Sequence, residues 1–430
     1  MNLEALDKEL IWHPFTHLKY QDKNIVITKA KGIYLYTQDG RKIIDGISSW
    51  WVNVHGHSHP YISKKIKEQL NEMEHCLFSG FTHPPAINLA TLLSDILPVQ
   101  KPKIFYSDNG STSVEVAIKM ALQYFYNLNQ KHKTKIIAFK NAYHGDTFGG
   151  MSVAERNVFN IPFKENLFET YFIDVPDEKK FSEVKEQLIN YIDKGKVAAF
   201  IFEPLVQGAG GMIMYEAKFL DELISICQQN NVICIADEVF TGFGKTGTLF
   251  ACDQLNNKPD IICLSKGITG GFLPLGVTVA TSKIYDAFVS DDKTKTFYHG
   301  HSFTANPLMC AAAVANVELV RKESFLKKIN IISNEHQKFL ESISKHPFVK
   351  SARSKGIILA IEIKTNDQTH YLNNMSEYIY EYFLERDILL RPLGNVLYLV
   401  PPVCIKKKEL HLIYRNIEGF LNNLSTSNFS

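Results

Sequence analysis

Two apolar runs of this chain end in groups that can do chemistry. Val232-Ile-Cys-Ile-Ala-Asp-Glu closes on the carboxylates Asp237 and Glu238, and Asp260-Ile-Ile-Cys-Leu-Ser-Lys-Gly-Ile-Thr-Gly-Gly carries Lys266 at its end, followed by glycines. A primary amine at the mouth of one strand, within reach of an acid at the end of another, meets the two needs of pyridoxal phosphate. The amine holds the carbonyl of the cofactor, and the acid keeps its ring nitrogen charged. Taken alone, Ser-Lys-Gly after a strand is usually a turn with a solvated ammonium.

Other strand ends add suitable groups. After Lys103-Ile-Phe-Tyr-Ser comes Asp108-Asn-Gly110-Ser111-Thr-Ser, then Val114-Glu-Val-Ala-Ile-Lys-Met-Ala-Leu-Gln-Tyr with helical apolar spacing. Free N–H groups and the positive end of a helix dipole make this start a phosphate seat, with the Ser111 hydroxyl as a further donor. An ordinary N-cap uses the same residue types. Asn141-Ala-Tyr143-His-Gly-Asp places an aromatic ring at the same edge, where it could stack on a pyridine ring. Glu203-Pro and Gln207-Gly-Ala-Gly-Gly follow at the next strand end, with glycines that allow a flexible loop where a substrate enters.

These groups need a scaffold that brings strand ends together. From about residue 86 to residue 285, short β-branched runs alternate with helical periodicity, which predicts an α/β fold with a mainly parallel sheet and chemistry at its carboxyl edge. The predicted strands are Lys103–Ser107, Lys135–Phe139, Ala198–Glu203, Val232–Asp237, Ile261–Ser265 and Gly276–Ala280. The first sixty residues contain a hairpin turning at Asp39-Gly40, and residues from about 325 mix helices and short strands. The expected division is 1–60 and 325–430 as the two parts of one smaller domain, with 61–324 as the large cofactor-binding domain. The terminal run Ser425-Thr-Ser-Asn-Phe-Ser is expected to fray.

Composition excludes some partners. The chain has 430 residues, 45% hydrophobic, and 47 basic against 45 acidic residues give a net charge of +2, with no field suited to nucleic acid or an anionic membrane. The N-terminus lacks a signal-peptide pattern and no apolar stretch spans a bilayer, so the expected location is the cytoplasm. Seven cysteines without a Cys-x-x-Cys pair read as reduced core thiols. The alternating histidines of His55-Gly-His-Ser-His and His299-Gly-His lack thiolate or carboxylate support, so they read as turn residues and no metal is expected. Trp50-Trp51 can be core aromatics or the wall of a cavity, and Arg391-Pro can be a surface charge or a fork for a carboxylate.

Asn109-Gly-Ser, Tyr143-His-Gly-Asp, Glu203-Pro, Ala236-Asp-Glu-Val-Phe-Thr-Gly-Phe-Gly-Lys-Thr-Gly and Leu264-Ser-Lys-Gly-Ile-Thr-Gly-Gly together resemble the class III pyridoxal-phosphate aminotransferases over nearly the whole chain. Ile11-Trp-His-Pro-Phe-Thr, Ser48-Ser-Trp-Trp, Val54-His-Gly-His-Ser-His-Pro and Leu390-Arg-Pro-Leu-Gly are similar to one subgroup, the adenosylmethionine-8-amino-7-oxononanoate aminotransferases of biotin synthesis. The resemblance implies a fold-type I homodimer with shared active sites. It implies that Lys266 bonds the cofactor and then works as acid and base, that Asp237 pairs with the ring nitrogen, and that Gly110 and Ser111 hold the phosphate. Tyr143 would face ring and substrate. Gly300, His301 and Ser302 would belong to a loop reaching the neighbour's phosphate, and Phe15, Trp50 and Arg391 would contact the nine-carbon keto acid, Arg391 through its carboxylate.

The chain departs from the subgroup at Phe15 in place of a tyrosine, Lys245 in place of an arginine, and His301-Ser302 in place of Pro-Thr. Phe15 lacks a hydroxyl for a substrate amine, and lysine lacks the planar fork of arginine. His301-Ser302 also resembles relatives that take lysine as amino donor. The expected product is 7,8-diaminononanoate with S-adenosylmethionine as donor, lysine being the alternative. Another ω-aminotransferase, acting on 4-aminobutyrate or ornithine, or an aminomutase would share the cofactor residues.

Overall fold

The structure, a computed structural model, describes residues 2–20, 24–366 and 369–424. The terminal run from Ser425, expected to fray, lies outside the described residues. A seven-stranded sheet forms the centre, in the order Lys103–Ser107, Gly276–Ala280, Ile261–Leu264, Ile233–Asp237, Val197–Phe202, Lys135–Phe139 and Thr170–Ile173. Gly276–Ala280 runs antiparallel to both neighbours, and the remaining pairs are parallel. The six runs read as strands are strands. The seventh, Thr170–Ile173, is a partly exposed edge strand.

Both faces of the sheet are covered, which is why its strands read as unbroken apolar runs rather than alternating ones. Alternation survives in where each side chain points. Ile233 and Ile235 pack with Val114, Ala117, Ala121 and Phe125 of helix Gly110–Asn127, while Cys234 and Ala236 pack with Leu220, Leu223 and Ile224 of helix Ala217–Gln229 on the other face. Each fully buried Leu, Ile or Phe side chain contributes roughly 1.5–3 kcal/mol. The same period of two puts Asp237 on the face of helix Gly110–Asn127, with its backbone in register with Cys263.

Parallel strands send their carboxyl ends to one edge, and that edge collects Asn109, Tyr143, Glu203, Asp237 and Lys266. The antiparallel strand begins there: a Cβ on Gly276 would meet the Asn109 carbonyl at 2.2 Å, so only glycine allows the approach. Elsewhere, Tyr34–Thr37 and Lys42–Asp45 form the expected hairpin, with Gly40 at φ +89° in its turn. Ile27–Lys31 and the distant Ile388–Leu389 complete a four-stranded sheet that joins the two chain ends. A three-stranded sheet of Val349–Lys355, Ile358–Ile363 and Val396–Leu399 lies beyond. No helix among the described residues is long and apolar enough to cross a membrane.

Candidate active site

A cavity of about 640 Å³ opens at the carboxyl edge of the central sheet, and Gly110, Ser111, Tyr143, Asp237 and Lys266 all line it. Five residues from four separate strand ends therefore meet as their positions in the sequence predict. His144, Glu203, Val239, Phe240 and Trp51 line it as well.

Lys266 begins a short turn, Lys266–Thr269, with φ +43°, a left-handed conformation that a lysine adopts only when its neighbours hold it. They do so on both sides. Ser265 Oγ donates to the Leu275 carbonyl at 2.7 Å, and Asn316 Nδ2 donates to the carbonyls of Gly267 and Ile268 at 2.9 and 3.0 Å. The Lys266 amine lies 4.7 Å from the Trp51 ring centre and 5.8 Å from that of Phe240. Burial lowers its pKa, against the opposing pull of Asp237, Glu203 and Asp146. An amine that sheds its proton more readily is more often in the free form that can act as nucleophile or base.

Asp237 is buried, with Oδ1 accepting from Val239 N–H at 3.0 Å and Oδ2 facing His144 Nδ1 at 2.7 Å. A carboxylate accepts, so the proton of this bond sits on Nδ1 and the imidazole fixes the direction of the acid. His144 is itself buried, and its Nε2 has no partner among the described residues. Glu203 lies beside this pair. Its oxygens accept from Tyr143 N–H at 3.2 Å and Gly208 N–H at 2.8 Å, and burial pushes its pKa up to about 7. Burial also raises the pKa of the Tyr143 phenol, with Asp146 adding to the effect. The glycine run after Gln207 is not a loose flap: Val206–Gln207 pairs with Ile213–Met214, and Arg353 donates to the Met212 carbonyl at 2.7 Å.

At the opposite wall, Asn109 caps helix Gly110–Asn127 by accepting from Thr112 N–H, an arrangement worth about 1 kcal/mol. Ser113 N–H bonds the Asn109 carbonyl, which leaves the N–H groups of Gly110 and Ser111 ahead of the first helical bond. Small residues keep this end open. A Cβ on Gly110 would meet Val239 at 2.7 Å, and one on Gly145, at φ +108°, would meet Ser111 Oγ at 2.2 Å. The cavity thus offers an anion seat, a free-standing amine, an acid aimed inward, and Tyr143 and Val239 as walls for a flat ring. This set fits pyridoxal phosphate.

Phe15, Trp50 and Arg391 are not among the residues lining this cavity, but they come together with one another. The Trp50 ring lies 5.4 Å from Phe15 edge to face and 4.7 Å from the Arg391 guanidinium, which also donates to the Phe15 carbonyl at 3.2 Å. Of the tryptophan pair, Trp51 faces Lys266 and Trp50 stays 41% exposed. The doublet could not be resolved in the sequence because Ser48, Ser49 and Trp51 all take positive φ, which breaks any periodic reading. Gly300, His301 and Ser302 lie outside the lining of the cavity, and Gly300 and Ser302 are exposed. Of the alternating histidines, His57 bonds Asp45 at 2.9 Å, while His55 packs against His59 and Phe325. Sequence reasoning assigned no role to His144 or Phe240. The signal for His144 was its place beside Tyr143 after a strand, but its pairing with Asp237 is tertiary.

The Aminotransferase class-III family model matches residues 17–421. The adenosylmethionine-8-amino-7-oxononanoate aminotransferase of Synechococcus elongatus is 47% identical over 422 residues, covering 96% of this chain and 99% of that protein. The protein of the same name from Staphylococcus aureus is 38% identical, with 98% of each chain covered. Among solved structures, the adenosylmethionine-8-amino-7-oxononanoate aminotransferase of Methanocaldococcus jannaschii superposes with a TM-score of 0.93 at 38% identity, covering 98% of this chain and 99% of that one. With its amine, acid and anion seat gathered at one sheet edge, and with this similarity running nearly end to end, the chain belongs to the class-III aminotransferases.

Proposed function

We propose that this chain transfers an amino group from S-adenosylmethionine to 8-amino-7-oxononanoate and so forms 7,8-diaminononanoate in biotin synthesis, with pyridoxal phosphate held on Lys266. The meeting of Lys266 with the His144-oriented Asp237 in one cavity carries the transaminase reading. The full-length relatives, up to 47% identical, carry the choice of substrates by their names. The same reading places the chain in the cytoplasm as a homodimer with shared sites.

Bound pyridoxal phosphate supplies a protonated ring that draws electrons from the carbon bearing the amine. Around it, the N–H groups of Gly110 and Ser111 and the helix dipole bind the phosphate. Asp237, held by His144, would pair with the ring nitrogen and keep it protonated. Tyr143 covers the ring and keeps water from the reacting carbon. Lys266 Nζ, once free, would take the proton from the donor Cα, and burial, by lowering its pKa, favours the unprotonated amine that this step needs. In the second half the same amine returns a proton to C7 of the acceptor, whose carboxylate the Arg391 guanidinium binds as a fork.

Lysine is the alternative donor, because His301-Ser302 resembles relatives that use it. Lys245, standing where the subgroup has arginine, is buried outside the cavity lining, and its pKa is pushed down to about 7, chiefly by burial and further by Lys266. It therefore offers no planar fork to a donor carboxylate. The test mixes cofactor-loaded protein separately with S-adenosylmethionine and with lysine and follows the visible absorbance of the lysine-bound cofactor. Its loss with S-adenosylmethionine is the expected result, loss with lysine alone transfers the donor role, and no loss with either sinks the reading.

A further inference from the structure

Phe159 occupies a position that no part of the proposed chemistry uses. Its ring lies 6.1 Å from that of Tyr143, which lines the cavity, and 5.9 Å from that of Phe15, which belongs to the group around Trp50 and Arg391. Both contacts are edge to face. Phe159 thus joins the end of the site where Lys266 works to the end where Arg391 stands. On its far side Tyr371 packs edge-on at 4.7 Å. Tyr371 and Arg391 are also both near enough to Tyr398 to act electrostatically on its hydroxyl, which accepts from Trp51 Nε1 at 3.1 Å. Trp51, whose ring faces Lys266, is thus linked through Tyr398 to this group of rings, although Phe159 itself is not among the residues lining the cavity.

The segment bearing Phe159 is held in place. Arg156 donates to the carbonyls of Met151, Ser152 and Ala154 at 2.8–3.1 Å and to that of Phe168 at 3.2 Å. Asn160 is buried, donates to the Glu155 carbonyl at 2.8 Å and accepts from Asn157 N–H at 3.1 Å. Phe159 N–H donates to Asn157 Oδ1 at 3.0 Å. A ring on such a braced loop is a fixed wall.

We infer that Phe159, held by Tyr371, is the residue that sets the chain length of the amino-group acceptor, because its ring stands between Tyr143 at the reacting end and Phe15, whose carbonyl Arg391 bonds, at the carboxylate-binding end. The inference rests on the proposed keto-acid acceptor. An acceptor with its carbonyl at Lys266 and its carboxylate at Arg391 must lay its methylenes along this ring. A chain of matching length gains the apolar contact and the ion pair together. A shorter one must give up one of them, at roughly tenfold or more in kcat/KM per misplaced group.

The experiment loads the full-length enzyme with pyridoxal phosphate, converts it to the aminated form, and measures kcat/KM for 8-amino-7-oxononanoate and for homologues shortened by two and four methylenes. The wild type is expected to favour the full-length acceptor by at least ~10-fold. Phe159→Ala and Tyr371→Ala should each reduce that preference by about an order of magnitude, with cofactor content and its visible spectrum unchanged. Phe159→Leu, a milder change that keeps an apolar side chain, should fall between and covers a failure of the alanine variant to fold. Equal loss for all chain lengths means a structural role and overturns the proposal, as does an unchanged preference. A wild type that aminates none of these acceptors refutes the assigned substrate instead, a result distinct from either.

Discussion

Glu203 should make the protein less stable as pH rises through the range where most proteins are at their best. The carboxyl group closes strand Val197–Phe202 beneath Tyr143 and is 3% exposed. Burial, opposed by His144 and reinforced by Asp237, lifts its pKa from the ordinary 4.5 to about 7. Below pH ~4.5 the group is protonated in both folded and unfolded chains, and its contribution to stability is fully present. Between ~4.5 and ~7 the unfolded chain releases the proton and the folded chain keeps it, so stability falls as pH rises, and above ~7 the loss is complete. At ~1.4 kcal/mol per pH unit, that span amounts to ~3 kcal/mol. The perturbation is Glu203→Gln, which removes the titration whatever it does to absolute stability. Urea unfolding of both proteins at a series of pH values from 5 to 8 gives the wild-type minus variant difference, in which other titrating groups cancel. That difference should decline by ~2–3 kcal/mol across the series. A flat or rising difference would refute the reasoning, because it would mean that the folded chain already holds Glu203 ionised.

Two further outcomes follow from the same geometry. Lys266→Ala should cut turnover by about 10^4-fold or more while leaving the far-ultraviolet spectrum intact, and near-normal activity in that variant would end the mechanism. Gly145→Ala should weaken cofactor binding and lower stability by roughly 1–3 kcal/mol, because the new Cβ falls 2.2 Å from Ser111 Oγ and the backbone sits at φ +108°. Fluorescence titration with pyridoxal phosphate reads the first effect, and an unchanged dissociation constant would show that the Ser111 end of the cavity does not hold the phosphate.

The legible parts of this molecule are those where one residue type has one physical reason to be where it is. Fully buried strands such as Ile233–Asp237 must be apolar on both faces, so they stand out in the sequence, and whatever polar group ends them stands out too. Lys266 and Asp237 were found in this way and Tyr143 a few residues past such a strand, whereas Gly110 and Ser111 follow the edge strand Lys103–Ser107 and were marked by the helix start after it. Thr170–Ile173 escaped because an edge strand with three half-buried residues carries no such signature. His144 escaped because its partner Asp237 is distant in sequence, and Phe159 because an aromatic in a loop announces nothing until its neighbours are known. Trp51 was visible but interchangeable with Trp50 until the positive-φ turn around them decided which ring faces inward.

The one inverted strand, Gly276–Ala280, gives Lys266 an unusual tether. In a wholly parallel sheet the segment leaving a strand's carboxyl end departs toward a helix and returns at the opposite edge. Here the stretch from Ser265 to Leu275 leaves one strand and enters its immediate neighbour at the same edge, and the Ser265 hydroxyl bonds across its base to the Leu275 carbonyl. The lysine is therefore carried on a closed loop pinned at both ends, and its Cα has nowhere to travel. The motion that the role proposed for Lys266 requires must then come from rotation about the bonds of its own four-carbon stem. The inversion of a single strand makes the backbone a fixed pivot and the side chain a swinging arm.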